Sequence, residues 1–152
     1  MRWHLLQAIE EIDPAGSAVT RAQLPAANDG VQRELLLLEM MAQTGGLALG
    51  VLDDFQSDLV FAKVDSADFS VSPSDTAGLR IEARLSEVRE EGAWLDASVK
   101  SGSGIILAQA RFLLARVPGL NKNSSTPVSF HRAFMEGYQV RSKILKSEKG
   151  IS

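Results

Sequence analysis

Cysteine is missing from all 152 residues, which excludes disulfides, thiolate metal sites and a cysteine nucleophile. Histidine is nearly missing: His4 and His131 are the only two, so little in the chain titrates near neutrality. Net charge is also small, −3, which excludes a basic nucleic-acid footprint over the whole chain. The N-terminal stretch MRWHLLQAIEEIDP carries acids where a secretory leader would need a longer apolar run and a small-residue cleavage site, so a cytoplasmic protein is expected. No metal cluster and no cofactor motif stands out. What remains, 45% hydrophobic and 23% charged residues, is the composition of one ordinary globular domain able to bury about 70% of its unfolded surface.

One stretch organises the rest. Glu34 to Leu52, ELLLLEMMAQTGGLALGVL, is apolar almost throughout, and its interior carries one carboxylate, Glu39, and one carboxamide, Gln43. Four residues apart on a helix, the two lie on one face, one turn from each other. Leu35 to Leu38, Met40 and Met41 leave no polar face for water, so a helix from about Val31 to Leu52 is expected to be surrounded by protein. Its length approaches a membrane span, but a mid-bilayer carboxylate and the strands that follow argue for a core helix. Asn28 and Asp29, in the loop before it, are available as caps.

Around this helix the pattern is that of strands. Trp3–Ile12 and Ser17–Leu24 flank the turn Asp13-Pro14-Ala15-Gly16, giving a first hairpin. Leu59–Ser70 is a further strand. Leu79, Ile81, Ala83 and Leu85 alternate with polar residues, as do Ala93, Leu95, Ala97 and Val99, with Glu90-Glu91-Gly92 turning the chain between them. After Ser101-Gly102-Ser103-Gly104, Ile105–Val117 forms a last strand with Ile106, Ala108, Ala110, Phe112 and Leu114 on one face. Short turns between successive strands make an antiparallel sheet, and an α+β fold of five or six strands curled around one helix hides the helix economically.

Residues 1–117 therefore form the domain, and 118–152 a Pro/Gly/Asn/Ser linker with a basic helical extension. The extension holds six Lys/Arg against two acids, which leaves the body with a net charge of −7. Phe130, Phe134 and Tyr138 recur at helical spacing, so a second helix is expected over Thr126–Leu145, weakened by Gly137. It could float in solvent, cover a strand edge, close a tunnel mouth or receive an acidic partner.

Three segments then carry a resemblance. LLLLEMMAQTGG is similar to the central-helix motif of the hot-dog-fold 3-hydroxyacyl-(acyl-carrier-protein) dehydratases of the FabZ/FabA type, in which a Glu precedes a Gln by four residues. FAKVDSADF, Phe61 to Phe69, resembles their Phe-x-x-(Ile/Val)-Asp-x-(Ala)-x-Phe strand, Val71 to Gly78 falls where they have a Pro-containing loop ending in Gly-Asp, and the final three strands match in length and turn placement. The likeness covers roughly Trp3 to Val117. It implies a hot-dog fold, a dimer paired sheet edge to edge, and acyl-thioester tunnels at the interface. It also implies Glu39 and Gln43 as the catalytic pair, with Met40, Phe61 and Ala62 lining the acyl site.

The departure is as informative. Active members carry a His in a His-Phe-Pro-Gly segment ahead of the helix, and here that loop reads LPAANDGVQR. A positioned general base contributes roughly 10²- to 10⁴-fold, so dehydration by this chain alone should be poor. Three readings follow. The chain binds acyl thioesters on acyl-carrier protein as a degenerate dehydratase, either a homodimer or the partner of a second hot-dog subunit that supplies the His. Alternatively, it is an acyl-CoA or acyl-carrier-protein thioesterase in which Glu39, desolvated among Leu and Met, serves as base or nucleophile. Or it is a non-catalytic binding protein whose Glu39 is a buried carboxyl satisfied by Gln43.

Overall fold

A computed structural model describes residues 5–24, 32–70, 78–117, 130 and 132–146. His4, His131 and the linker after Val117 lie outside these, as do residues 25–31, which include Asn28 and Asp29.

The strands form where the alternating pattern places them. β1 (Leu6–Asp13) and β2 (Ser17–Ala22) make the opening hairpin, and β4 (Leu79–Arg89), β5 (Gly92–Lys100) and β6 (Ile106–Val117) a meander. β3 (Asp58–Phe69) pairs with β6, so one antiparallel sheet runs β1-β2-β4-β5-β6-β3. Alternate residues Leu79, Ile81 and Ala83, Leu95, Ala97 and Val99, and Ala108, Ala110, Phe112 and Leu114 are buried on its inner face.

That inner face receives α1 (Arg33–Gly50), which continues as a 3₁₀ turn through Asp53. Leu37, Met40, Met41, Leu47, Ala48 and Leu49 are fully or almost fully buried against it. The helix starts two residues later than expected. Its N-cap is Gln32, with no side-chain cap, so a first turn of strong helix formers begins it without an Asn or Asp acceptor. Gly45 sets the closeness of the packing: an added Cβ would stand 2.9 Å from Leu95 Cδ2 and 3.1 Å from Phe112 Cζ. The Gly45-Gly46 pair therefore seats the helix without interrupting it.

The expectation of a helix surrounded on all sides is corrected. Leu35 is 55% exposed, and Leu36, Leu38, Glu39, Ala42 and Gln43 are only part-buried. Among the described residues, the sheet curls around one flank of the helix and nothing covers the other. By length and composition Arg33–Asp53 could cross a membrane, yet half of its most apolar window is buried against the sheet, as in a core helix.

A single buried polar contact ties helix to sheet. Thr44 Oγ1 donates to the Met40 carbonyl at 2.8 Å, so at the 2.7 Å contact between the two hydroxyls Thr20 Oγ1 is the donor. Both side chains are fully buried, and each hydroxyl proton is used.

The second helix also differs from expectation. It is not one helix over Thr126–Leu145 but a short α2 (Arg132–Gly137) followed by a 3₁₀ turn, Val140–Lys143. Gly137 offers no side chain to pack, and Gln139 adopts a left-handed φ of 52°, which ends the helical path. Nor does the extension float. Its rings form a ladder in which Phe55–Phe130, Phe130–Phe134 and Phe134–Tyr138 centroids lie 5.0, 6.1 and 5.0 Å apart, and Val140 is fully buried. Tyr138 Oη donates to the Leu6 carbonyl, and Ile144 bridges Ile12 along the outer edge of β1.

Two stability results follow. Thr44→Val should cost about 1–3 kcal/mol by leaving the Thr20 hydroxyl buried without an acceptor, and Thr20→Val/Thr44→Val together should cost less than the sum of the single changes. Urea melts of the four proteins measure this, and strict additivity would contradict the assigned bond. Burial raises the Tyr138 pKa above its ordinary value, 10.0. A folded-state pKa above the unfolded one favours the fold below the unfolded value, and this contribution is lost as pH rises through the folded value. The single tyrosine should therefore ionise, by ultraviolet absorbance, at higher pH in the native protein than in urea; equal midpoints would contradict its docking.

Candidate active site

Glu39 and Gln43 sit where the i, i+4 spacing placed them. Gln43 Nε2 donates to Glu39 Oε1 at 3.0 Å, fixing the carboxylate along the helix surface and leaving Oε2 for other partners. Both side chains are half-buried, neither sealed in the core nor free in water.

The stripe they share continues N-terminally to Leu35 and C-terminally through Ala42 to Gly46, at steps of three and four residues. A Cβ added at Gly46 would point at Leu59 Cδ1, 3.8 Å away, so the stripe looks toward the start of β3. Opposite it runs the inner face of β3. Register shifts at Ala62 and Asp65 break the strand's alternation: Phe61 faces Leu114, Val64 faces Phe112, Ala67 faces Ala110 and Phe69 faces Ala108. Four apolar residues thus line one face of a strand that simple alternation would have divided otherwise. Phe61 is 39% exposed, its ring stacked on Phe112 with centroids 5.3 Å apart; Val64 is 37% exposed.

The result is an open gutter. One wall is the helix stripe with its single carboxylate, the other the apolar inner face of β3, and no part of the described chain roofs it. Of the residues expected at an acyl site, Phe61 belongs to this wall, Ala62 is exposed at the register shift, and Met40 is fully buried in the core. Val64 shares the Phe61 face of β3, which was not expected, and exposed Leu35 extends the helix stripe. The Phe-Ala-Lys-Val spacing of three hid Val64, since only the extra residue of a bulge brings i and i+3 to the same face.

The outer face of the sheet holds a second hollow, a trough of about 830 Å³ crossed by Arg80, Glu82, Arg84, Asp96 and Arg111. Several of its charges are paired: Arg80 with Glu82 inside the trough at 3.3 Å and with Glu10 beside it at 3.4 Å, and Arg111 with Asp96 at 3.3 Å. It lies across the sheet from Glu39, and its apolar lining is limited to Val19 and small alanines among charged and polar side chains, so size alone does not make it the site for an acyl chain. Among the described residues no group of three or more His, Asp or Glu is placed to hold a metal.

No family model matches the chain, and no curated protein does. Solved structures do match. The chain is similar to the conserved protein PA5202 of Pseudomonas aeruginosa, with a TM-score of 0.60 at 19% identity over 72% of this chain and 87% of that one. It is similar to smu.793 of Streptococcus mutans bound to acetyl-CoA, with a TM-score of 0.60 at 16% identity over 77% and 93%. A hypothetical thioesterase of Streptococcus pneumoniae with coenzyme A gives a TM-score of 0.55 at 16% identity over 72% and 84%. At these identities the likeness establishes the fold, which is the hot-dog fold. It does not single out the FabZ/FabA dehydratases within that fold.

If Gln43 orients Glu39, Gln43→Ala should leave the fold intact and free the carboxylate's rotamer. The Glu39 side-chain carboxyl resonance should broaden or split in the variant, and an unchanged line would show that the 3.0 Å bond has no positioning role.

Proposed function

We propose that the chain binds acyl-CoA thioesters in the gutter between α1 and β3 and hydrolyses them with Glu39 as general base. The observation that carries this is the half-buried Glu39, held by Gln43 on an otherwise apolar flank that faces the uncovered wall of β3. That two neighbours of this fold were solved with coenzyme A or acetyl-CoA supports thioester binding over the binding of a free acid. Dehydration is the weaker reading, because the loop ahead of the helix, LPAANDGVQR, carries no histidine where the dehydratase motif has one, and the neighbours do not favour it.

The chemistry requires little more than the carboxylate. Glu39 takes a proton from a water, whose oxygen bonds to the thioester carbonyl carbon. The tetrahedral oxyanion then collapses, the C–S bond breaks, and the departing thiolate takes back the proton from Glu39. A thiol with a pKa near about 8.5 leaves readily, so a dedicated acid such as the missing histidine is not needed for this step. The fatty chain lies on Phe61 and Val64, where its burial contributes roughly 0.8 kcal/mol per methylene.

An open gutter does not exclude water, so the site needs a roof, and a second copy supplies it. β3 is an edge strand of twelve residues, exposed on most positions, with Val60, Phe61 and Val64 in view. Pairing two such edges continues the sheet and brings each copy over the other's gutter. Acyl-carrier protein in place of CoA, and a different hot-dog subunit in place of a second copy, remain within the same chemistry.

Glu39→Gln keeps the shape and the contact with Gln43 but removes the base. It should lower acyl-CoA hydrolysis by roughly 10²-fold or more, measured as thiol release, with little change in KM. Undiminished turnover would overturn the assignment. Incubation with a 3-hydroxyacyl-CoA should yield the free hydroxy acid and no enoyl absorbance; an enoyl product would restore the dehydratase reading.

A further inference from the structure

The C-terminal segment does more than pack on the domain: it occupies the one strand edge that the fold otherwise leaves open opposite β3. Leu145 N–H donates to the Ile12 carbonyl at 2.8 Å and Ile144 pairs with Ile12 in parallel, so the far end of β1 is covered by the chain's own tail. Tyr138 Oη takes the Leu6 carbonyl near the other end of β1. Between these anchors Val140 is fully buried.

The same segment grips the turn that leads into β3. Asp54 and Phe55 both have left-handed φ values, 56° and 60°, a conformation that costs a side chain-bearing residue free energy and is rare for a bulky aromatic. Arg141 Nη1 bonds Asp54 Oδ1 at 2.6 Å, and the Phe130 ring meets Phe55 edge-on. Phe130 lies so close over the helix end that a Cβ at Gly50 would fall 2.7 Å from its Cζ. Two independent sets of contacts, one on the β1 edge and one on a strained turn, therefore converge on residues 130–145.

We propose that residues 130–145 act as a strap that closes the β1 edge against pairing with a second copy's β1 and holds the turn before β3 in its strained form. An unguarded strand edge presents a row of N–H and C=O groups that templates association. With β1 strapped, β3 is the edge left for a second copy; that last clause rests on the proposed pairing of β3, whereas the strap itself does not. A protein with both edges open would chain copy to copy without closing.

The test uses the full chain and two substitutions. Leu145→Pro deletes the N–H bonded to Ile12; Leu145 is 43% exposed, and Ile144 is already extended at φ −73° and ψ 124°, a backbone that accepts a following proline. Val140→Asp places a carboxylate where the strap is fully buried and forces it off. In sedimentation velocity over a concentration series, each variant should add species larger than the parent's, Val140→Asp the more, while β5 amides keep their protection. The Phe55 amide, which bonds the Gly50 carbonyl, should exchange roughly tenfold faster or more in Val140→Asp. The proposal is overturned if Val140→Asp sediments as the parent does while its Leu145 amide exchanges freely, if Leu145 stays protected in it, or if β5 protection is lost along with the strap. A monomeric parent would sink the pairing of β3, and the difference between variant and parent would still decide the strap.

Discussion

The close seating of α1 on the sheet is the constraint from which the rest follows. Gly45 lets the helix approach Leu95 and Phe112 to within a side chain's width, and the Thr20–Thr44 bond fixes its position against β2. A helix held that tightly on one flank cannot turn its other flank inward. The stripe from Leu35 to Gly46, with Glu39 and Gln43 in it, is thus left facing β3 rather than the core.

Each element was legible in the sequence to the extent that its residues obey a simple period. β4 and β5 bury Leu79, Ile81 and Ala83 and Ala93, Leu95, Ala97 and Val99 as alternation names them, and β6 does so from Ala108 onward; Ile106, expected on that face, is 44% exposed and Leu107 is buried instead, because the pairing with β5 shifts register between Val99 and Lys100. The polar pair of the helix was legible because i and i+4 coincide whatever surrounds them. β3 was legible as a strand but not in its faces, because two extra residues shift the register at Ala62 and Asp65 and nothing local marks a bulge. The tail was misread as one helix because Phe130, Phe134 and Tyr138 do keep a period of four; the left-handed Gln139 that breaks the path has no signature of its own. That the helix is covered on one flank only is a property of how far a sheet curls, which no window of sequence contains.

The two edges of the sheet are treated differently, and this gives the fold a direction. β1 is closed by the chain's own C-terminal segment, through a backbone bond from Leu145 and the ring of Tyr138. β3, at the other end, keeps apolar residues in view beside the gutter. The resemblance that suggested a dehydratase rested on the helix and β3 motifs; the histidine that a dehydratase carries ahead of the helix is what this chain's loop lacks.

The central claim is that the gutter between α1 and β3, not the polar trough on the outer face, receives the thioester. A crystal structure of the protein with a non-hydrolysable acyl-CoA thioether tests it most directly. The account predicts the acyl chain against Phe61 and Val64, the atom replacing the reacting carbonyl within one water of the Glu39 carboxylate, and the edges of β3 from two copies paired around it. Ligand bound across Arg80, Arg84 and Arg111 on the outer face, with the gutter empty, would contradict it.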